Sequence, residues 1–128
     1  MKKWLLLMLS AFLLTGCVPE TQNGKEAVYL NITVQEAKAL MDTQENYVIL
    51  DVRTQAEYDE KHISGAVLIP DYELQSRAGE MLTDKDQLIL VYCHSGRRSK
   101  NAAQILVELG YTNIREFGGI IDWPYEVE

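Results

Sequence analysis

The segment from Cys93 to Ser99 is the part of this sequence best suited to chemistry. A short apolar run, Leu88–Tyr92, is typical of a buried strand and ends at this cysteine. A polar, glycine-containing segment follows, and apolar residues then recur at helical spacing up to Leu109. The pattern predicts that Cys93 opens a tight loop that leads into the N-terminus of a helix.

A cysteine in that position is suited to nucleophilic chemistry. The thiolate is the reactive form of cysteine, and a helix N-terminus and nearby guanidinium groups stabilise it. Arg97 and Arg98 supply the guanidinium groups, and the amide N–H groups of such a loop can converge on an anion. The alternative is that Cys93 only fills space at a strand end, as many unpaired cysteines do. The two arginines favour the catalytic interpretation, because charges beside an apolar site are costly to desolvate.

The first residues indicate a processing signal. Lys2 and Lys3 precede an apolar run from Trp4 to Leu14, after which Thr-Gly-Cys ends at Cys17. A helix of this run would extend roughly 16 Å, which is too short for the ~30 Å core of a bilayer. The four residues ending at Cys17 resemble the lipobox of bacterial lipoproteins, in which the cysteine is lipidated and becomes the mature N-terminus. The alternative is an ordinary secretory signal or an uncleaved anchor.

We therefore expect a lipoprotein signal peptide over 1–16, a lipidated cysteine and flexible tether over 17–28, and one domain over 29–128. Removal of Lys2 and Lys3 with the signal changes the formal charge from −7 to −9. This charge disfavours nucleic acid or a bare anionic membrane as a partner. Membrane attachment would come from the lipid anchor alone, at the extracytoplasmic face of a bacterial cell membrane.

The chain contains two cysteines, so lipidation of Cys17 leaves Cys93 without a disulfide partner. Exported proteins that keep one unpaired thiol commonly use it. The sequence has no zinc-like spacing of Cys and His and no glycine-rich dinucleotide motif. We expect neither a metal nor a cofactor.

Strands and helices are predicted to alternate along the remaining sequence. Capping patterns at Thr33 and Thr54 indicate helix starts, the first helix ending near Met41. Residues 71–82 predict one or two short helical pieces that break near Gly79. The order predicts an α/β fold with a central, mostly parallel five-stranded sheet and helices on both faces, and ligands bind beyond the carboxyl ends of such strands. The predicted strands are Tyr29–Ile32, Tyr47–Val52, Val67–Ile69, Leu88–Tyr92 and Asn113–Phe117.

Five pieces of the sequence, in order, resemble the single-domain rhodanese family of sulfurtransferases over residues 29–128. Each piece alone is a weak signal, but their order and separations make the combination specific. The pieces are Asp51-Val52-Arg53, Glu57-Tyr58, His62-Ile63-Ser64-Gly65-Ala66, Cys93-His94-Ser95-Gly96-Arg97-Arg98-Ser99 and Gly118-Gly119-Ile120-Ile121-Asp122-Trp123.

The resemblance implies a persulfide mechanism at Cys93. The thiolate would attack the outer sulfur of thiosulfate or a related small anionic donor, release sulfite and carry the sulfur as a persulfide. A thiol or cyanide acceptor would then remove that sulfur. The residues implied in binding the anionic donor are His94, Ser95, Gly96, Arg97, Arg98 and Ser99.

The resemblance also gives roles to particular side chains. Arg98 matches the loop arginine of the family. We interpret Ser99 as a cap for the following helix rather than as a partner of the sulfur. His94 is interpreted as a loop residue and not as a base, because a thiolate that is already formed needs none. Structural support is expected from four other residues, which are Asp51, Arg53, Glu57 and His62.

Three other functions compete with sulfur transfer. A phosphatase or arsenate reductase of the same fold also uses a cysteine and a trailing arginine, but four residues separate Cys93 from Arg98 here, and the cell-cycle phosphatases of this fold carry one more. A non-catalytic binding module of rhodanese fold would commonly lack the cysteine. A thiol-disulfide oxidoreductase would need a second nearby cysteine.

Overall fold

Residues 28–128 are described by a computed structural model, in which five strands form one sheet in the order β1-β5-β4-β2-β3. Every strand pair in this sheet is parallel. The strands are β1 Leu30–Asn31, β2 Tyr47–Asp51, β3 Val67–Leu68, β4 Leu88–Cys93 and β5 Ile114–Gly119.

Four α-helices connect the strands, and each parallel pair therefore has a crossover. Two 3₁₀ turns, Asp71–Glu73 and Ile120–Asp122, follow β3 and β5. The helices are α1 Val34–Thr43, α2 Gln55–Glu60, α3 Leu74–Met81 and α4 Arg97–Glu108.

The helices cover both faces of the sheet, as expected. Alternate residues of β4 point to opposite faces, so Val91 and Cys93 pack into one core and Leu90 and Tyr92 into the other. Buried apolar residues of α3 and α4 belong to the first core, and those of α1 belong to the second. Burial on both faces explains why the β4 sequence is apolar without interruption.

Helices α1 and α2 start at the caps predicted for them. The Thr33 side chain accepts a hydrogen bond from the Glu36 amide at the start of α1, and Thr54 forms a complete capping box with Glu57 at the start of α2. The prediction of a break near Gly79 was wrong, because α3 runs through this exposed glycine to Met81. The change of helix type lies at Glu73, where the 3₁₀ turn gives way to α3.

The strand boundaries differ from the predicted ones by one or two residues at an end. Strands β1 and β3, at the two edges of the sheet, have two residues each, and short edge strands offer few unpaired backbone groups to another chain. Strand β5 extends through Gly118 and Gly119, beyond the predicted end. Cys17 and residues 1–27 lie outside the described residues. Among residues 28–128, no helix has the length and apolar character needed to cross a bilayer.

Candidate functional site

Cys93 is the last residue of β4 and lies at the carboxyl end of a central strand, as predicted. Its side chain is buried, and the Gly96 amide N–H donates to Cys93 Sγ over 3.0 Å. Gly96 has φ of +104°, and α4 begins at the next residue. A left-handed glycine therefore turns the loop so sharply that its own amide and the start of α4 face the sulfur.

Strand β5 packs directly against this loop. Cys93 lies opposite Gly119 in the register, and one extra residue in β5 between Glu116 and Gly119 makes a bulge. A Cβ atom on Gly119 would lie 2.0 Å from the carbonyl oxygen of His94 and 2.6 Å from Ser95 Cα. The Ile121 amide donates to that same carbonyl over 3.2 Å. The loop can rest on β5 only because Gly119 has no side chain.

Ser99 lies in the first turn of α4, and its prediction as the helix cap was wrong. The N-cap is Gly96, which has a left-handed conformation, and no side chain caps the start of α4. Ser99 Oγ lies 3.4 Å from Cys93 Sγ and 3.0 Å from the Gly96 carbonyl oxygen. Its hydroxyl is therefore a direct neighbour of the sulfur, the alternative to a helix cap that the sequence did not favour.

Glu116 is a site residue that the sequence analysis missed. Its carboxylate is fully buried and accepts hydrogen bonds from Ser99 Oγ over 2.6 Å, from the Gly118 amide over 2.8 Å and from Asn31 Nδ2. Lys100 Nζ lies 4.0 Å from the second carboxylate oxygen, Glu116 Oε2. The sequence did contain a signal for its burial. Glu116 lies two residues after Ile114 in β5, and alternate residues of a strand point to the same face, which is buried here.

The guanidinium of Arg98 is held by a carboxylate of another helix. Arg98 Nη1 and Nη2 donate to the two oxygens of Glu57 over 2.6 and 2.8 Å. This hydrogen bonding lowers the pKa of Glu57 to about 2, with partial burial acting in the opposite direction. Glu57 also closes the capping box of α2, so a single carboxylate fixes both the start of α2 and the position of Arg98 beside the loop.

These features agree with the comparison with known proteins. The family model described as "Rhodanese-like domain" matches residues 33–124. The chain belongs to the rhodanese family. It is 40% identical to the thiosulfate sulfurtransferase PspE of Escherichia coli over 73 residues, which are 57% of this chain and 70% of that protein.

Other members of the rhodanese family match more of the chain. Identity to the thiosulfate sulfurtransferase GlpE of Coxiella burnetii is 36% over 97 residues, covering 75% of this chain and 88% of that protein. A solved structure described as "rhodanese with anions from E. coli" superposes with a TM-score of 0.61 at 35% identity. That match covers 64% of this chain and 96% of the solved one.

In this rhodanese domain, two of the residues expected to support the site, Asp51 and Arg53, lie at the end of β2 and just after it. Arg53 is buried and pairs with Asp51 through Nη2 and Oδ2 over 2.7 Å, and it also donates to the Lys61 carbonyl. Tyr92 links the pair to the next loop, donating to Asp51 Oδ2 over 2.5 Å and accepting from the Ile63 amide over 3.0 Å. Burial, and then the bond to Asp51, raises the pKa of Tyr92.

His62 joins the same loop to two neighbouring segments. Its Nδ1 lies 2.9 Å from the Tyr58 carbonyl oxygen, and its ring stacks on Tyr58 with 3.7 Å between centroids. Its Nε2 lies 3.3 Å from a carboxylate oxygen of Glu128, while Ile63 forms a β-bridge with Val127. The C-terminal residues thus fix the position of the loop that precedes β3.

Three of the residues predicted to bind the anionic donor are exposed at the site. His94 and Ser95 lie on the outer side of the loop, and Arg97 is the first residue of α4. Their contact with a donor remains a prediction. Gly96 and Ser99, in contrast, are buried and touch the sulfur, and Arg98 is held beside the loop by Glu57.

Substitution of Gly119 by alanine tests the close contact between the Cys93 loop and β5. The added Cβ must displace the backbone of His94 or Ser95, so we expect Gly119→Ala to lower the free energy of unfolding by about 1–3 kcal/mol. Gly79→Ala is the matched control, because no atom lies within 4 Å of a Cβ there and alanine favours the helix by up to about 1 kcal/mol. Urea unfolding measures both, and equal stability of the two variants would contradict the close approach.

The pair of Glu57 and Arg98 predicts a dependence of stability on pH. A carboxylate whose pKa falls from 4.5 to about 2 on folding contributes stability above pH 4.5, and this contribution is lost as pH falls towards 2. We expect Glu57→Gln to be less stable than the wild type by about 0.5–1 kcal/mol at pH 7 and equally stable near pH 2. Glu60→Gln, at an exposed position of α2, is the control. A Glu57→Gln deficit that does not change between these pH values would refute the ion pair.

Proposed function

We propose that this member of the rhodanese family is a sulfurtransferase that carries sulfane sulfur on Cys93. The observation that supports the proposal is the position of Cys93 Sγ at the N-terminus of α4, with the Gly96 N–H donating to it over 3.0 Å. A hydrogen-bond donor and a helix N-terminus favour the anionic form of a sulfur atom. Both the thiolate and the persulfide in the proposed cycle are anions of this kind.

In the first step, the Cys93 thiolate attacks the outer sulfur of thiosulfate. A bond forms between Sγ and that sulfur, and the sulfur–sulfur bond of thiosulfate breaks with its electron pair leaving on sulfite. The negative charge on the new persulfide lies one atom further from Cβ, and the Gly96 amide and the charge of Arg98 act on it as they act on Cys93 Sγ. Preorganised groups of this kind stabilise the charge without rearrangement during the reaction.

In the second step, a thiolate or cyanide attacks the outer sulfur of the persulfide. The persulfide bond breaks, its electron pair returns to Cys93 Sγ, and the acceptor leaves with the sulfur. The Cys93 thiolate is regenerated, so the cycle consumes one donor and one acceptor. The relatives named thiosulfate sulfurtransferase support the choice of thiosulfate as donor for this chain.

Arg98 and Glu57 have complementary roles in this proposal. Arg98 supplies the positive charge that attracts an anionic donor, and Glu57 fixes its guanidinium in one orientation. The side chain of Arg98 is 32% exposed, so an anion from solvent can reach it while it is paired with Glu57. An arginine held in place loses less conformational freedom on binding than a free one.

We also propose that lipidation of Cys17 anchors the domain to the outer face of a bacterial cell membrane. The proposal rests on the sequence Leu14-Thr15-Gly16-Cys17 after a short apolar run. With a tether of about ten residues, which extend at most roughly 35 Å, the catalytic domain would stay close to the bilayer surface.

The sulfur-carrier proposal is tested by the mass of the protein after exposure to thiosulfate. We expect a gain of one sulfur atom on Cys93, which Cys17→Ser retains and Cys93→Ser abolishes. Cys93→Ser is nearly isosteric, so its thermal melt should remain that of a folded protein. Thiocyanate formation from cyanide should likewise disappear in Cys93→Ser, and undiminished formation by that folded variant would refute the assignment.

The anchor proposal is tested by the intact mass of the full-length protein extracted from bacterial membranes. We expect the mass of the chain beginning at Cys17 plus a diacylglyceryl adduct, and Cys17→Ser should carry no lipid. An unmodified Cys17 in membrane-extracted wild-type protein would rule out the anchor.

A further inference from the structure

The buried carboxylate of Glu116 lies one hydroxyl group away from the reactive sulfur. Ser99 Oγ is 2.6 Å from Glu116 Oε1 and 3.4 Å from Cys93 Sγ. The sulfur and the carboxylate oxygen are therefore at most 6.0 Å apart, the sum of these two distances. Both groups are shielded from solvent, since Cys93 is 1% and Glu116 0% exposed.

The hydroxyl of Ser99 has a single hydrogen to donate. Three acceptors surround it, namely Glu116 Oε1 at 2.6 Å, the Gly96 carbonyl at 3.0 Å and the Gly118 carbonyl at 3.3 Å. The carboxylate is the closest of the three, and an ionised carboxylate is also the strongest acceptor. The hydrogen is therefore directed to Glu116, and a lone pair of Ser99 Oγ faces the sulfur.

The orientation of the Ser99 hydroxyl determines which form of Cys93 can hydrogen-bond to it. A thiol can donate its S–H to the lone pair of Ser99, whereas a thiolate at the same place would face an oxygen without a hydrogen. A thiolate would also lie close to a second buried negative charge, which disfavours both ionised forms together. The conflict disappears if the thiol proton moves to the carboxylate, because a single negative charge is then transferred from Glu116 to Cys93.

We propose that Glu116 holds the proton of Cys93 during sulfur transfer and exchanges it through Ser99. The Cys93 S–H bond breaks as its proton passes to Ser99 Oγ, and the Ser99 O–H bond breaks as that proton passes to Glu116 Oε1. The products are a thiolate, a hydroxyl that now donates to it, and a neutral carboxylic acid. Atoms and charge balance, and no further reactant is needed. This inference rests on the proposed role of Cys93 as the sulfur carrier.

The groups that face this pair act on it in opposite directions. Lys100 of α4, 4.0 Å from Glu116 Oε2, favours the ionised carboxylate, as do the donors Asn31 of β1 and the Gly118 amide of β5. Arg98 of α4 and the Gly96 amide favour the ionised sulfur. The surrounding groups therefore do not all act against a transfer of the proton, which exchange during a catalytic cycle requires. The proton stays on Glu116 while Cys93 carries an anionic persulfide, and it returns when Cys93 rests as a thiol.

The inference is tested by the rate at which iodoacetamide alkylates Cys93 as a function of pH, with the adduct located by mass spectrometry. Glu116→Gln removes the competing charge, and its amide can donate to Ser99, which turns the hydroxyl hydrogen towards the sulfur. We expect the pH midpoint of alkylation to fall by about one pH unit or more relative to the wild type. Glu108→Gln, at an exposed position of α4, should leave the midpoint unchanged. An unchanged midpoint in folded Glu116→Gln would overturn the inference and leave Glu116 a structural residue.

A second measurement does not depend on the folding of that variant. In wild-type protein with ¹³C-labelled glutamate, the carboxyl signal of Glu116 should change in two steps with pH, the upper step coinciding with the midpoint of alkylation. The upper step should be absent in Cys93→Ser. A Glu116 signal that shows no change at the alkylation midpoint would contradict proton sharing.

These readouts separate the inference from the proposed function. Alkylation and the carboxyl signal report on the proton whether or not the protein accepts sulfur, while the mass gain with thiosulfate reports on sulfur alone. A wild-type chain that gains sulfur but shows the same alkylation midpoint as Glu116→Gln would retain the proposed function and lose this inference.

Discussion

The close approach of the Cys93 loop to strand β5 is the constraint on which the rest of the site depends. Gly119 lies opposite Cys93, and its missing side chain leaves room for the backbone of His94 and Ser95. The bulge before Gly119 places Glu116 beside Ser99, and the left-handed turn at Gly96 directs an amide to the sulfur. Sulfur, amide, hydroxyl and carboxylate are thus brought together by backbone packing, which is more rigid than contacts among exposed side chains.

The carboxyl ends of the neighbouring strands are held by buried polar groups that bind one another. Asp51 and Arg53 pair at the end of β2, and Tyr92 connects them to the loop before β3. Removal of one member would leave a buried charge without its partner, which costs more than the pair contributes. These groups therefore support the site from the second core of the domain, while Glu57 supports it from α2 by holding Arg98.

Much of this arrangement could be predicted from the sequence, because local patterns determine it. Apolar runs identified β2 and β4, capping residues identified the starts of α1 and α2, and the end of a strand followed by glycine and arginines identified Cys93. The place of Glu116 could not be predicted, since it depends on the register and bulge between β4 and β5, which are distant in sequence. The same applies to Ser99, whose partners come from β5, and to the unbroken α3, where burial of Leu74 and Ala78 outweighs the exposed Gly79.

The central claim is that Cys93 takes sulfur from a donor and holds it until an acceptor arrives. Its most direct test is the amount of sulfite released when the full-length protein is mixed with excess thiosulfate in the absence of any acceptor. We expect a rapid burst of about one sulfite per chain, no further release, and no burst after alkylation of Cys93. Release of sulfite by the alkylated chain, or no release by the unmodified chain, would contradict it.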